Sequence, residues 1–388
     1  MMRWGKIRAC ACALLMTALL ALSGCGQEQR AADSAAPQGG PIEITDVAGR
    51  TVTFERPVQK VLLQWSGMGG GFITMAALVG QDLPDYIAGL DTSMQEDRLD
   101  MWNAFSNDMP QLKEIPTIGN ADNNTFNTEA AIASGADVAF IPLQMKKKFE
   151  ETIQPKLEQA GIQTVYIDFH AEKLENHKQT IEIMGRLLGK EERAQEIIGF
   201  YEQKVTPVYE RIQKIQSPKP TVYVEVGMQG PEAFGNAFSS NFSWGGLVTQ
   251  CGGDLITAGI VQRAEPINPE LVLEKDPQII FIMGSYWPSR PTSMFLGFEA
   301  TPAEAQQRLA AFTQRDGWNN LSAVRDKQVY SIHHGICREV YDCAVIEYFA
   351  KTFYPEEFKD LDPAGTFKEF YERFLPFTYG GLWFYQLQ

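Results

Sequence analysis

The chain has 388 residues, 44% of them hydrophobic and 21% charged, enough apolar material for a sizeable core and too little bias for a disordered or fibrous polymer. Its 48 acidic against 34 basic residues give a formal charge of −14, which argues against nucleic acid and against docking on anionic lipid through a basic patch. An acidic face suits a basic protein partner instead.

In chain order, Arg3, Lys6 and Arg8 precede an apolar run from Ala11 to Leu22. That run is too short to span a bilayer as a mature helix and suits a signal peptide over residues 1–24. It ends in Leu22-Ser23-Gly24-Cys25, which resembles a bacterial lipobox and implies cleavage before Cys25 and diacylation of its thiol. The mature chain would then carry 31 basic and 48 acidic residues, a charge of about −17, and be held at the membrane by lipid. Residues 25–40 are rich in Ala, Gln, Gly and Ser without apolar periodicity, so they read as a flexible tether. Cys251, Cys337 and Cys343 remain in an exported chain where disulfides can persist, and their spacing matches no zinc or haem-attachment pattern.

Residues 41–172 alternate short β-type runs with helical ones, predicting a parallel α/β lobe. Its strands are Lys60–Trp65, Ala136–Ile141 and Gln163–Ile167, and Phe72–Val79 is helical. Residues 173–217 form the connecting region. Between Gly189 and Gln216, Ala194, Ile198, Tyr201, Val205, Val208, Ile212 and Ile215 recur on one helical face, so a long rigid helix of about 40 Å is expected. Pro207 removes a backbone donor within it, predicting a bend or two abutting helices. The strand pattern restarts in residues 218–388, with Thr221–Val226, Gln278–Ile282 and Gln328–Ile332.

The second lobe repeats the first. Thr128-Glu129-Ala-Ala-Ile132 and Pro269-Glu270-Leu-Val-Leu273 each put a Glu nine residues before a strand, on a short helix start. The order of lipobox, α/β lobe, long helix and second α/β lobe resembles the class III, helical-backbone substrate-binding proteins of ABC importers, which handle ferric siderophores, cobalamin and haem. Asp46–Arg50, Thr117-Ile-Gly119, Gly252-Gly253-Asp254 and Gly317–Val324 support the resemblance. It implies two Rossmann-like lobes with a ligand cleft between them, little closure motion, no catalysis and no intrinsic cofactor. It also implies a monomer working with a permease dimer and its ATPase, in which Glu129 and Glu270 would meet one permease half each.

Ligands of parallel α/β lobes gather beyond the carboxyl ends of strands. Reading past each strand gives Trp65, Ser66 and Met68, then Met145 and Lys146, then His170, from the first lobe. The second lobe gives Phe234, Asn236, Tyr286, Trp287, Arg290, His334 and Arg338. The loop Trp65–Gly71 reads either as a plain turn or as an anion-binding nest; it carries no Walker or dinucleotide fingerprint. Aromatics with Arg and Lys suit a bulky, partly apolar anion, so a ferric siderophore or other metal chelate leads, with haem, cobalamin or an oxyanion such as molybdate behind it. His333 and His334 face opposite ways on a strand, and His334 is the candidate metal ligand. An exported enzyme using an Asp168–His170 acid/base pair is the rival reading. Residues 288–315 suggest a loop or lid, and the aromatic tail 374–388 suggests packing onto a lobe or an exposed permease patch.

Overall fold

Short, nearly continuous apolar runs build both sheets. In the computed structural model, which describes residues 40–171 and 173–388, Val61–Leu63 (β1), Ile87–Leu90 (β2), Val138–Pro142 (β3) and Gln163–Ile167 (β4) form a four-stranded parallel sheet in the order β2-β1-β3-β4. Thr221–Val226 (β5), Asp254–Leu255 (β6), Ile279–Met283 (β7) and Val329–Ile332 (β8) form a second, in the order β6-β5-β7-β8. The strand order is the same in both, so the internal repeat is topological. Phe384–Gln386 (β9) adds an antiparallel edge to the second sheet alone. The signal peptide, Cys25 and all but the last residue of the expected tether lie outside the described residues.

Val61, Leu63, Val138 and Phe140 of the first sheet and Val222, Val224, Ile279 and Phe281 of the second point into one shared core. The alternate positions face outward into separate cores, Leu62, Ala139 and Ile141 in one lobe and Tyr223, Ile280 and Ile282 in the other. Each sheet is therefore covered on both faces, which is why its strands read as continuous apolar runs.

The helices that matter for the site are Phe72–Val79 (α1), Leu99–Asp108 (α2), Thr128–Ala133 (α3), Leu174–Leu187 (α4), Glu191–Ile212 (α5), Ser243–Gln250 (α6), Pro269–Lys275 (α7), Cys343–Phe353 (α8) and Pro363–Phe374 (α9). Helix α5 is the expected rod, with 22 residues, or about 33 Å. It is shorter than the apolar pattern suggests, and Pro207 sits inside it without splitting it. Its buried face, Ala194, Ile197, Ile198, Phe200, Tyr201, Val205 and Val208, belongs to the shared core.

Polar contacts tie the rod to both halves. Arg193 donates to the Ala77 carbonyl on α1 (3.1 Å) and the Arg373 carbonyl on α9 (2.9 Å). Tyr201 donates to Asp342 beside α8 (2.5 Å), and His177 of α4 lies 3.0 Å from the same hydroxyl. The tail also crosses between lobes: Phe377 stacks on Phe105 of α2 at 3.9 Å, while Phe374 and Trp383 are buried. Its aromatics are packing residues rather than an exposed patch. Residues 288–315 likewise hold a helix, Pro302–Phe312, and a buried run from Ser293 to Gly297, so the expected lid is a packed segment.

Candidate functional site

The carboxyl ends of the two sheets meet through three loops from the first lobe and three from the second. After β1, the turn Trp65–Gly71 is organised by Asp91, one residue past β2. Its buried carboxylate accepts from the Trp65 amide (2.8 Å), the Ser66 amide (2.9 Å) and hydroxyl (2.6 Å), the Ser93 hydroxyl (3.0 Å) and the Asn120 side chain (3.1 Å). Burial pushes the Asp91 carboxyl up and these donors pull it back. The Gly67 amide donates to Ser93, and the Met68 and Gly70 amides to the Trp65 carbonyl. With those amides satisfied inside the protein, the loop is a structural turn and not an anion nest. Ser66 is a scaffold residue, whereas the half-buried Trp65 and Met68 side chains remain at the edge.

Past β4, Asp168 accepts from Gln144 (3.0 Å), the His170 amide (2.9 Å), the Ala171 amide (3.2 Å) and Asn176 (2.6 Å). The carboxylate holds the backbone of His170, not its ring, so the expected acid/base pair does not form. The His170 ring is 1% exposed, 5.0 Å from the Trp65 ring and 6.5 Å from Phe242 of the opposite lobe. Neither ring nitrogen reaches hydrogen-bond geometry, although the Met68 backbone lies close. Burial first, then Arg338 and Arg263, hold the imidazole neutral.

The second lobe supplies the rest. Strand alternation turns His333 inward beneath Trp383 (4.7 Å) and leaves His334 half-buried at the edge, between Trp244 and Trp287, each 6.1 Å away. The Trp244 indole donates to His334 Nδ1 (2.8 Å). An indole nitrogen can only donate, so Nδ1 accepts and the neutral ring carries its proton on Nε2. That makes His334 a hydrogen-bond donor toward the edge, contrary to its reading as a metal ligand. No cluster of three His, Cys, Asp or Glu suited to a metal occurs among the described residues. Arg338, half-buried at φ 72°, makes two long bonds among the described residues, both of 3.4 Å, to the carbonyls of Cys337 and His334.

Between these walls the lobes touch. The Gly69 amide donates to Glu339 (2.9 Å), and the Ser243 amide to the His170 carbonyl (3.3 Å). A Cβ at Gly69, whose φ is +83°, would lie 2.5 Å from the Arg338 carbonyl, so only glycine permits this approach. Arg98, buried just before α2, donates across the gap to Ser285 (3.0 Å) and sits 5.9 Å over Trp287. Burial lowers it to about 10, still a cation at neutral pH. Burial pushes Glu339 up to about 8, so near pH 7 it is mostly protonated. The result is an edge where two guanidinium groups stand among N–H donors, offset in part by the half-buried Asp97 carboxylate that acts on both.

Six expected lining residues fall differently. Met145 is buried in the first lobe's outer core, and Lys146 pairs with Glu150 (2.6 Å) on its own helix. Phe234 packs edge-on to Trp318 with Arg315 over its ring, and Asn236 and Arg290 are exposed. Tyr286 leans on Phe295 at 5.2 Å. Conversely, Asp91, Arg98, Phe242 and Glu339 belong to the junction and were not singled out by sequence. Glu129 and Glu270 are both exposed, each at the second position of its helix after an Asn cap, Asn127 and Asn268, directly before the third strand of its sheet.

Comparison with known proteins adds to this geometry. The sequence profile described as "Periplasmic binding protein" matches residues 100–334. The crystal structure of the TroA-like periplasmic binding protein FepB from Veillonella parvula is 58% identical, covers 90% of this chain and 100% of its own, and superposes with a TM-score of 0.87. Molybdate-binding protein MolA of Haemophilus influenzae is 22% identical over 291 residues, 70% of this chain and 75% of that protein; its molybdate-bound structure gives a TM-score of 0.63 at 18% identity, covering 88% and 99% of the two chains. YvrC of Bacillus subtilis, described as an uncharacterized ABC transporter substrate-binding lipoprotein, is 21% identical over 368 residues, covering 92% of this chain and all of that one.

Proposed function

Because this chain belongs to the periplasmic binding protein family, with the two-lobe TroA-like fold of solute-binding components of ABC importers, we propose that it captures an anionic metal chelate, a ferric siderophore in first place, and delivers it to a permease dimer and its ATPase. The observation that carries the ligand class is the donor-rich edge: Arg338 with its guanidinium barely engaged, the Trp65 indole N–H and the His170 ring nitrogens without hydrogen-bond partners among the described residues, and His334 fixed as a donor. A free guanidinium binds two oxygens of an anion side by side, and each ring N–H adds one further hydrogen bond. A bare oxyanion of the molybdate type is the second reading, favoured by the direct contact of Gly69 with Glu339, which leaves the lobes close together. Cys25 would carry the lipid anchor, and Glu129 and Glu270 would dock the loaded lobes on the permease. No helix of the described residues is long and apolar enough to cross a membrane.

Mass spectrometry and metal analysis of protein purified under native conditions identify the solute. Titration of stripped protein with a ferric chelate and with molybdate then ranks the two. The expected result is saturable binding of one of them, weakened about 30-fold or more by Arg338→Met through loss of charge-assisted hydrogen bonds. Binding of a neutral or cationic solute, indifferent to Arg338→Met, would refute the proposal.

A further inference from the structure

Among the described residues, three large apolar side chains stand exposed: Ile132 (39%), Ile260 (49%) and Leu273 (42%). Ile132 and Leu273 lie on the two helices that carry Glu129 and Glu270, and Ile260 lies in the turn ahead of the second. Ile132 follows Glu129 by three positions on α3, and Leu273 follows Glu270 by three on α7, so each Glu shares a helical face with an apolar neighbour. The two helices are equivalent in cap, length class and place before the third strand. Glu129 and Ile132 line one surface hollow of about 760 Å³, together with Phe126. Glu270 and Ile260 line another of about 460 Å³, while Leu273 opens onto a neighbouring hollow of about 680 Å³ on the other side of the same helix start, beside Pro269.

Scattered exposed apolar residues need no explanation, but here the same position is left bare twice. We infer that each acidic handle is half of a two-part docking patch whose other half is the apolar side chain one turn further on. The partner that fits is a twofold membrane-protein surface offering, on each half, a basic side chain beside an apolar one. A second copy of this chain fits poorly, since it would set Glu against Glu in a molecule already at −14. The charged half steers and sets register; the apolar half excludes water and resists salt. This inference rests on the docking role proposed for Glu129 and Glu270.

The test uses the full chain, loaded with the solute it is purified with, on its own permease and ATPase reconstituted in nanodiscs. The readout is the protein concentration giving half-maximal stimulation of ATPase activity, at about 50 mM and about 500 mM salt. Ile132→Ser with Leu273→Ser should raise that concentration about tenfold at both salts, with solute affinity and thermal midpoint unchanged. Glu129→Gln with Glu270→Gln should raise it at low salt, with the difference shrinking at high salt. A serine pair within twofold of the parent, beside an impaired glutamine pair, would overturn the apolar half and leave the acidic handles standing. If neither pair had an effect, the docking role itself would fall and this inference with it.

Discussion

In the first lobe, the residue just past the second strand is Asp91, a buried carboxylate that holds five donors and fixes the Trp65–Gly71 turn. In the second lobe the corresponding strand runs into Ile256 and Thr257, and the edge is fixed instead by rings: Trp244 and Trp287 about His334, Trp383 over His333. One scaffold with one strand order has thus been given two kinds of edge. The first lobe offers a wall held by a buried charge, and the second offers half-buried donors, His334 set between two indoles and Arg338 beyond it. Where the lobes have stayed alike is at α3 and α7, with an Asn cap, a Glu and an apolar residue at matching positions. That is the pattern expected if an asymmetric solute sits between the lobes while a symmetric partner sits across them.

The sharpest break of this comparison is at the second-strand ends. Asp91→Ala strands five donors in a buried turn and should cost about 3–5 kcal/mol, whereas Thr257→Ala, losing one bond to the Phe238 carbonyl, should cost about 1 kcal/mol. Urea unfolding of the two variants checks it; equal losses would mean that the first lobe's edge does not depend on its buried charge.

A smaller effect isolates the contact between the edges. Gly69→Ala places a methyl against Arg338 and should cost about 2–3 kcal/mol, while Gly49→Ala, at a similar φ of +78° but with open space around it, should cost about 1 kcal/mol. Thermal unfolding measures the difference, which is the part owed to the lobes' approach rather than to backbone strain.

The smallest concerns pH. Burial raises Glu339 from 4.5 to about 8, so the folded protein keeps a proton that the unfolded chain releases. This group therefore favours the fold fully below about pH 4.5, and that contribution is lost as pH climbs toward 8. The Gly69 amide, Arg338 and Arg98 face the same carboxyl and pull it down, Asp342 pushes it up with burial, and burial decides the direction. Glu339→Gln should flatten the fall in stability between about pH 5 and about pH 8, seen as a shallower trend in urea midpoints. An unchanged slope would show that the second lobe's edge does not hold this proton.

Most of the scaffold was legible in the sequence because it rests on local period: β4 and β5 lie where the apolar runs put them, and α5 lies where the 3.6-residue stripe does. The paired glutamates were legible because a repeat needs no third dimension. The junction was not. Ile87-Ala-Gly-Leu90 is too short and glycine-weakened to read as a strand, so Asp91 beyond it went unseen. Arg98 lies in a polar stretch that looks solvated, and Gly69 meets Glu339 across 270 positions of chain. Met145 and Phe234 show the converse error. Standing just past a strand places a residue at the sheet's edge but does not say which way its side chain turns.

Anomalous diffraction from crystals of natively purified protein, collected at the absorption edge of the metal found by elemental analysis, tests the central claim most directly. The account predicts one metal peak between the lobes, ringed by Trp65, His170, His334 and Arg338, with ligand oxygens rather than protein nitrogens bound to it. A peak in the hollow beside Glu129, or one bonded directly to His334, would contradict it.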